Sequence, residues 1–286
     1  MTTSDKKYGV LVAVDGSAES QAAVRWAAYE AEMRHVPITL VHVVEPVVVT
    51  WPVRSLQGQF NEWQEDNARQ VLEDAQKISQ LSDTRSEVLH GYAVPALVDA
   101  SKSAQMIVVG SRGMGAFGRA VLGSVSSGVV HHAHCPVAII HVEEAQEPDH
   151  ASPVLLGIDG TPASEAATAL AFDEASRRGV DLVALHAWSD VGVFPVLGMN
   201  WRQYEDEGIE VLGERLAGWQ EQYPDVNVRR RIVCDRPARW LIDESQQAQL
   251  VVVGRRGRGG FAGMLLGSVS TAVAESAKAP VIVVRD

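Results

Sequence analysis

Cysteine is scarce in this chain of 286 residues, which contains only Cys135 and Cys234. Two cysteines so far apart form neither a disulfide framework nor a cysteine metal cluster, and such usage is typical of a reducing compartment. The sequence also lacks a run of about 18 apolar residues and an apolar leader before its first strand, so it predicts neither a transmembrane helix nor secretion. We therefore expect a cytoplasmic protein that makes no membrane contact.

Basic residues are outnumbered, with 25 lysines and arginines against 36 acidic residues and a formal net charge of −11. Proteins that bind nucleic acid or anionic membranes generally present a positive surface, so both classes of partner are disfavoured. An anion site in this chain must instead be built locally, from backbone N–H groups and a few arginines. The hydrophobic content of 46% is typical of a globular protein with an apolar core.

The second half of the chain repeats the landmarks of the first half 144 residues later. The matched pairs are Asp15-Gly16 with Asp159-Gly160, His42 with His186, Gly123-Ser124 with Gly267-Ser268, and Pro136 with Pro280. Landmarks that keep one offset from first to last indicate a tandem duplication. A polar, proline-containing stretch lies between the copies, so we predict one domain at 1–145 and a second at 153–286.

Each copy alternates apolar strand patterns with helical patterns, which predicts an α/β fold with a parallel sheet covered on both faces. The strands expected in the first copy are Tyr8–Val14, Ile38–Val44, Ser86–His90, Met106–Val109 and Pro136–Val142. Ligands of such sheets bind at the carboxyl ends of strands where the strand order reverses. In the order 3-2-1-4-5, Asp15 and Gly110 would line the same crevice.

A glycine-rich loop follows the fourth strand of each copy, at Gly110–Ser124 and Gly254–Ser268. Neither loop contains lysine, which excludes the Walker A phosphate loop. The spacing of Gly113, Gly115 and Gly118 fits a dinucleotide fingerprint, but that fingerprint belongs to the first strand of a βαβ unit and opens directly into its helix. We therefore disfavour the dinucleotide interpretation as well.

The spacing that recurs in both loops is G-x2-G-x9-G-[ST]. Its first two glycines let the backbone turn tightly against a ligand. Its last two residues, Gly123 and Ser124 in the first copy, are expected to offer free N–H groups at a helix N-terminus, with Ser124 as the N-cap. Arg112 and Arg119 would add positive charge. This pattern predicts a phosphate site in each copy.

At these residues the chain resembles the ATP-binding branch of the universal stress protein family, in its tandem form. The resemblance rests on Ala13–Ser17, Leu40–Val43, the glycine loop and His134–Val137, and it covers about 8–142 and 153–284. It implies two flavodoxin-like (Rossmann-like) five-stranded domains of strand order 3-2-1-4-5. It further implies that the two fifth strands pair antiparallel, which gives the chain a pseudo-two-fold axis and the form of an intramolecular dimer.

The resemblance also implies a nucleotide between the end of strand one and the glycine loop, with adenosine near Ala13, Asp15 and Val43. The first-copy site residues are Ala13, Asp15, Val43, Gly110, Ser111, Arg112, Gly113, Met114, Gly115, Arg119, Gly123 and Ser124. Those of the second copy are Gly157, Asp159, Ala187, Gly254, Arg255, Arg256, Gly257, Arg258, Gly259, Gly267 and Ser268. The expected cofactor is ATP, accompanied by Mg²⁺.

The expected function is nucleotide-dependent regulation in stress or growth, through a protein partner that the sequence does not name. Because the loops offer neither a lysine nor an evident general base, we expect no catalytic residues and at most weak ATPase activity. One alternative is a slow Mg²⁺-dependent ATP hydrolase or nucleotidyl transferase. Another is an assembly module that binds AMP or a cyclic nucleotide. Further dimerisation of the tandem chain also stays open.

Histidines occur at two further places that require interpretation. His131, His132 and His134 stand beside Cys135, but the second copy lacks this group, so we interpret them as residues of a helix C-terminus and expect no metal. His42 and His186 lie in apolar strand patterns, where we expect hydrogen-bonded core side chains.

Overall fold

The computed structural model describes residues 7–46, 57–113, 122–142, 150–160, 164–187, 202–257 and 265–285. The chain divides into two compact units, Met1–Val142 and Glu143–Asp286. The domain limits expected at 145 and 153, and the pairing of the two fifth strands, stay predictions.

The first unit contains five strands and four α-helices among its described residues. The strands are β1 (Val10–Ala13), β2 (Ile38–Val44), β3 (Thr84–His90), β4 (Met106–Gly110) and β5 (Val137–Ile140). The helices are α1 (Ala18–Arg34), α2 (Gln57–Ser79), α3 (Ala93–Ala100) and α4 (Ser124–His132). The strands lie in the order β3-β2-β1-β4-β5, all parallel, as predicted.

The second unit repeats this arrangement in its described residues. Its strands are β6 (Val154–Gly157), β7 (Leu182–Ala187), β8 (Val228–Val233), β9 (Leu250–Gly254) and β10 (Val281–Val284). Its helices are α5 (Glu165–Arg178), α6 (Arg202–Gln222), α7 (Pro237–Glu244) and α8 (Ser268–Ser276). The parallel strand order is β8-β7-β6-β9-β10, so the predicted flavodoxin-like fold is confirmed in both units.

The central strands are apolar because both faces of the sheet are covered. Every residue of β4 and β9 is buried. Helix α1 begins after Ser17, whose hydroxyl oxygen accepts a hydrogen bond from the Ser20 N–H. Alanines recur every fourth residue on the buried faces of α1 and α5, at Ala23, Ala27 and Ala31 and at Ala167, Ala171 and Ala175. Such small side chains let these helices lie close to the sheet.

Several element limits differ from the sequence-based expectation by a few residues. Strand β3 covers 84–90 rather than 86–90, and β5 covers 137–140 rather than 136–142. The shorter β5 has a simple cause, because the carbonyl of Pro136 still bonds Ile107 while proline itself has no N–H to donate.

In the part of the chain that the structure describes, no helix has the length and apolar character needed to cross a membrane.

Candidate functional site

The candidate site of each unit lies where the strand order reverses. In the first unit β1 lies between β2 and β4, and Val12 of β1 pairs with Val108 of β4. The residues that follow these two parallel strands, Asp15 and Ser111, therefore leave the same edge of the sheet. In the second unit β6 lies between β7 and β9, and Asp159 and Arg255 occupy the matching places.

Asp15 is held in place by the first turn of α1. Its Oδ1 accepts hydrogen bonds from the Ser17 N–H at 3.0 Å and from the Ser17 hydroxyl at 2.6 Å. The Ser17 hydroxyl oxygen in turn accepts from the Ser20 N–H at 3.1 Å. This local network anchors one carboxylate oxygen and orients the other.

The second oxygen of Asp15 lies against the glycine loop. A Cβ built on Gly113 would stand 2.5 Å from Asp15 Oδ2, and a Cβ on Gly257 would stand 2.8 Å from Asp159 Oδ2. Both separations are shorter than any ordinary carbon–oxygen contact, so a larger residue at either position would have to displace the carboxylate. The structure thus brings together the aspartate and the glycine loop in both units.

Backbone hydrogen bonds hold the two ends of the loop together. The Ser111 N–H donates to Ile140 of β5 at 2.8 Å, and the Ser111 carbonyl accepts from the Gly123 N–H at 2.8 Å. The same two bonds in the second unit join Arg255 to Val284 at 2.7 Å and to Gly267 at 2.8 Å. The first and last residues of each loop are therefore fixed to the sheet.

This geometry corrects two details of the sequence-based expectation. Gly123, not Ser124, is the N-cap of α4, and Gly267 is the N-cap of α8. Ser124 is the first helical residue, and no side-chain cap bond forms at either helix. The N–H of Gly123 is also bonded to Ser111 rather than free. At both caps the glycine N–H closes the loop and the glycine carbonyl accepts the first bond of the helix.

The helix N-terminus nevertheless keeps donors for an anion. The first intrahelical bond of α4 runs from the Ser127 N–H to the Gly123 carbonyl at 2.9 Å, and that of α8 runs from Thr271 to Gly267 at 2.9 Å. The three amides before each of these bonds have no acceptor within the helix. Together with the helix dipole, they favour a negative charge at this end.

Arginines distinguish the two loops. In the first unit Arg112 is half-buried, with its Nε 3.8 Å from Glu19 Oε1. The second unit has arginine at both positions that match Ser111 and Arg112. Arg255 is only 8% exposed, and Arg256 is exposed. Since Arg255 stands where the first unit has the buried Ser111, the second loop carries one more positive charge among the described residues.

Both strand histidines are hydrogen-bonded as expected, but only His186 is a core side chain, at 6% exposure, whereas His42 is half-buried. The Nδ1 of His42 lies 2.8 Å from the Val14 carbonyl, and the Nδ1 of His186 lies 2.8 Å from the Ile158 carbonyl. Each histidine donates to the residue that precedes the aspartate of the site. His131 likewise bonds within its helix, with its Nδ1 2.7 Å from the Ser127 carbonyl. In the described ranges, no group of three or more His, Cys, Asp or Glu residues is arranged to hold a metal ion.

The remaining expected site residues occupy the neighbouring strand ends. Ala13 and Gly157 are the last residues of β1 and β6, Ala187 ends β7, and Val43 lies in β2 opposite Leu89. Gly110 and Gly254 end β4 and β9. Five expected site residues lie outside the described residues, namely Met114, Gly115, Arg119, Arg258 and Gly259.

Sequence reasoning missed the second serine of the repeated Gly-Ser-Val-Ser segment. The Ser126 hydroxyl donates to the Gly110 carbonyl at 2.6 Å, and the Ser270 hydroxyl donates to the Gly254 carbonyl at 2.6 Å. Both serines are 5% exposed. The sequence did indicate that these serines matter, because they recur at the common offset of 144 residues.

Comparisons with known proteins agree with the repeated fold. The model of the Universal stress protein family matches residues 9–141 and 151–285. A universal stress protein of Mycolicibacterium smegmatis is 57% identical over 295 residues, covering 100% of this chain and 99% of that protein. Universal stress protein Rv2005c of Mycobacterium tuberculosis is 53% identical over 294 residues, with coverage of 100% and 99%.

A solved structure shows the same fold across the whole chain. The crystal structure of a universal stress protein from Archaeoglobus fulgidus aligns with a TM-score of 0.72 at 21% identity, covering 98% of this chain and 99% of that one. Two family matches, one in each half, fit the duplication found in the sequence. This chain therefore belongs to the universal stress protein family.

Proposed function

We propose that each unit binds one ATP molecule, and that the bound nucleotide regulates a protein partner in the cytoplasm. The observation that carries this proposal is the contact between the aspartate after the first strand and a glycine of the phosphate loop, present in both units. Two copies that diverge in loop charge but keep this contact support a common ligand chemistry. Parallel sheets bind nucleotides at this place.

The residues present fit the phosphates of a nucleotide. The amides of 124–126 and 268–270 are directed along the helix axis at the carboxyl edge of the sheet, where the dipole favours an anion. Arg112 in one loop and Arg255 and Arg256 in the other add positive charge to a protein with net charge −11. The described ends of each loop are held by backbone hydrogen bonds without a ligand, which lowers the entropy that these ends lose on binding.

The adenosine end would lie at the ends of β1 and β2, against Ala13 and Val43, and at Gly157 and Ala187 in the second unit. The carbonyl of the residue after each first strand accepts a hydrogen bond from the neighbouring histidine, which supports this wall of the site. Asp15 and Asp159 would face the nucleotide, and a carboxylate beside phosphates is also a suitable ligand for Mg²⁺.

Regulation rather than catalysis fits the described chemistry. Asp15 is bonded through Oδ1 to Ser17, whose hydroxyl oxygen caps α1 by accepting from the Ser20 N–H, and it lies against Gly113 through Oδ2, so these contacts serve the fold of the site. Binding of a nucleotide to the folded state stabilises the loop and shifts its conformational population. A partner protein that binds the surface around the loop would then bind with an affinity that depends on whether the site holds nucleotide.

The test is direct identification of the ligand followed by titration. Mass spectrometry of small molecules released from gently purified protein should find adenine nucleotide, and calorimetry with Mg²⁺-ATP should give two sites per chain. Asp15→Ala should remove one site, Asp159→Ala the other, and the double variant both. Asp74→Ala, which alters an exposed residue of α2, is the matched control and should leave both sites intact.

Two outcomes would overturn the proposal. Failure of the purified protein to release or bind any adenine nucleotide would remove nucleotide binding. A steady-state ATP turnover near the ~10 s⁻¹ typical of enzymes would replace the regulatory function with a catalytic one. A difference in affinity between the two sites is compatible with the proposal, because Arg255 stands where the first unit has Ser111.

A further inference from the structure

Helix α4 is fastened at both of its ends by a buried serine. At the N-terminal end, the hydroxyl of Ser126 donates to the carbonyl of Gly110 at 2.6 Å, which joins residues 16 apart in the sequence. At the C-terminal end, the hydroxyl oxygen of Ser101 accepts from the His134 N–H at 2.8 Å and the hydroxyl donates to Val98 at 2.6 Å. Ser126 is 5% exposed and Ser101 is fully buried.

Helix α8 repeats both attachments with the same chemistry. The Ser270 hydroxyl donates to the Gly254 carbonyl at 2.6 Å. The Ser245 hydroxyl oxygen accepts from the Lys278 N–H at 2.9 Å, and the Ser245 O–H donates to the Ile242 carbonyl at 2.6 Å. Ser270 and Ser245 are 5% and 1% exposed. A bond geometry that recurs this closely in two diverged copies is a built feature of the helix, not an incidental contact.

The two serines of each helix differ in what they fasten. Ser101 joins the end of α4 to the segment after α3, on the side of the helix away from the loop. Ser126 joins the first turn of α4 to Gly110, the last residue of the strand that leads into the loop. The neighbouring bond between Gly123 and Ser111 ties the same two segments at 2.8 Å.

We infer that Ser126 and Ser270 are positioning residues of the nucleotide sites, an inference that rests on the proposed function. Each hydroxyl fixes the distance between the strand end and the helix N-terminus, whose amides would hold the phosphates. It also engages a strand-end carbonyl oxygen, a partial negative charge at the edge of the sheet where the anion would bind. Neither serine needs to touch the nucleotide for this role.

The experiment compares Ser126→Ala with Ser101→Ala in the full chain, using Mg²⁺-ATP as the ligand. Both variants delete one buried hydroxyl that bonds to backbone, so both should lower the midpoint of thermal unfolding. Only Ser126→Ala should weaken ATP binding at the first site, by about five- to tenfold, the equivalent of one net hydrogen bond. Ser270→Ala and Ser245→Ala repeat the comparison at the second site, and Ser126→Thr, which keeps the hydroxyl, should retain the affinity.

Equal effects of Ser126→Ala and Ser101→Ala on ATP affinity would show a merely structural role and overturn the inference, as would unchanged affinity in Ser126→Ala. Amide hydrogen exchange supplies a readout that needs no nucleotide. Exchange of the Gly123 N–H should speed up in Ser126→Ala and stay unchanged in Ser101→Ala. Unmodified protein that binds no ATP would instead overturn the proposed function, which keeps the two failures distinguishable.

Discussion

Gly113 lies directly against the carboxylate of Asp15, since a Cβ added to Gly113 would stand 2.5 Å from Asp15 Oδ2. Because Oδ1 is bonded to Ser17, a movement of the carboxylate away from Gly113 would distort these two hydrogen bonds. Gly257 and Asp159 stand in the same relationship. The contact couples the end of the first strand to the loop after the fourth.

Gly113→Ala should therefore displace Asp15 and break its bonds to Ser17. We expect ATP affinity at the first site to fall by about tenfold, the worth of a strong hydrogen bond, with the second site unaffected. Gly257→Ala should lower the ATP affinity of the second site and leave the first site unaffected. Calorimetry that resolves the two sites separates these effects. Gly218→Ala is the control, since a Cβ on Gly218 of α6 would have open space around it. Unchanged ATP affinity in Gly113→Ala would show that the contact between Gly113 and Asp15 does not contribute to nucleotide binding.

The fold and the proximity of Asp15 to the glycine loop were predictable because they depend on patterns that repeat. Strand order followed from the alternation of elements and the family resemblance, and the crevice at Asp15 and Gly110 followed from the strand order. The cap of α4 was wrong by one residue, because serine is the better cap by intrinsic preference while the Gly123 N–H bonds a carbonyl 12 residues away. Such non-local bonds leave no local pattern, and the bond of Ser126 to Gly110 was missed for the same reason.

The contact between α3 and α4 predicts a compensating pair of substitutions. A Cβ on Gly128 would stand 2.7 Å from Cγ2 of Val94, whereas the second unit has Ala272 and Ala238 at the two matching positions. Gly128→Ala alone should lower the free energy of unfolding by about 1–3 kcal/mol through overpacking.

Val94→Ala combined with Gly128→Ala reproduces the pair found in the second unit. The double variant should recover most of the stability lost in Gly128→Ala, because it removes the clash and replaces a helical glycine. Urea unfolding of the single and double variants measures this interaction as a double-mutant cycle. Purely additive losses would contradict the prediction that these two side chains share one space.

Two ion pairs on adjacent residues of α5 should differ sharply in their effect on stability. Glu174 and Arg178 are buried, with 0% and 3% of their side chains exposed and Arg178 Nη2 3.0 Å from Glu174 Oε2. Asp173 and Arg177 form a pair of the same spacing at 2.9 Å, with 25% and 36% exposed. Because the side chain of Glu174 is buried, water cannot solvate its carboxylate if Arg178 is removed.

Arg178→Ala should therefore lower the free energy of unfolding by about 3–5 kcal/mol, because it removes the cation paired with a buried carboxylate. Arg177→Ala should lower it by less than about 1 kcal/mol, since water screens the remaining Asp173. Chemical unfolding of both variants tests the difference directly. Losses of similar size would mean that Glu174 is relieved by its other surroundings.

Cys234 should be a slow nucleophile near neutral pH. Burial, and then the negative charge of the adjacent Asp235, raise the pKa of the Cys234 thiol above its usual range. Since only the thiolate reacts, the fraction available for alkylation is small and grows as the pH rises towards that pKa. Its alkylation by iodoacetamide, followed by mass spectrometry of the peptide, should climb steeply through the alkaline range.

Asp235→Asn removes the charge and leaves the burial. The pKa of Cys234 should then fall part of the way towards its ordinary value, so the alkylation profile should shift to lower pH while keeping its shape. Cys135 is buried at 3% exposure and serves as an internal control for local opening of the fold. If both cysteines speed up together in Asp235→Asn, the variant has loosened the unit. A shift confined to Cys234 would show that the carboxylate acts through its charge.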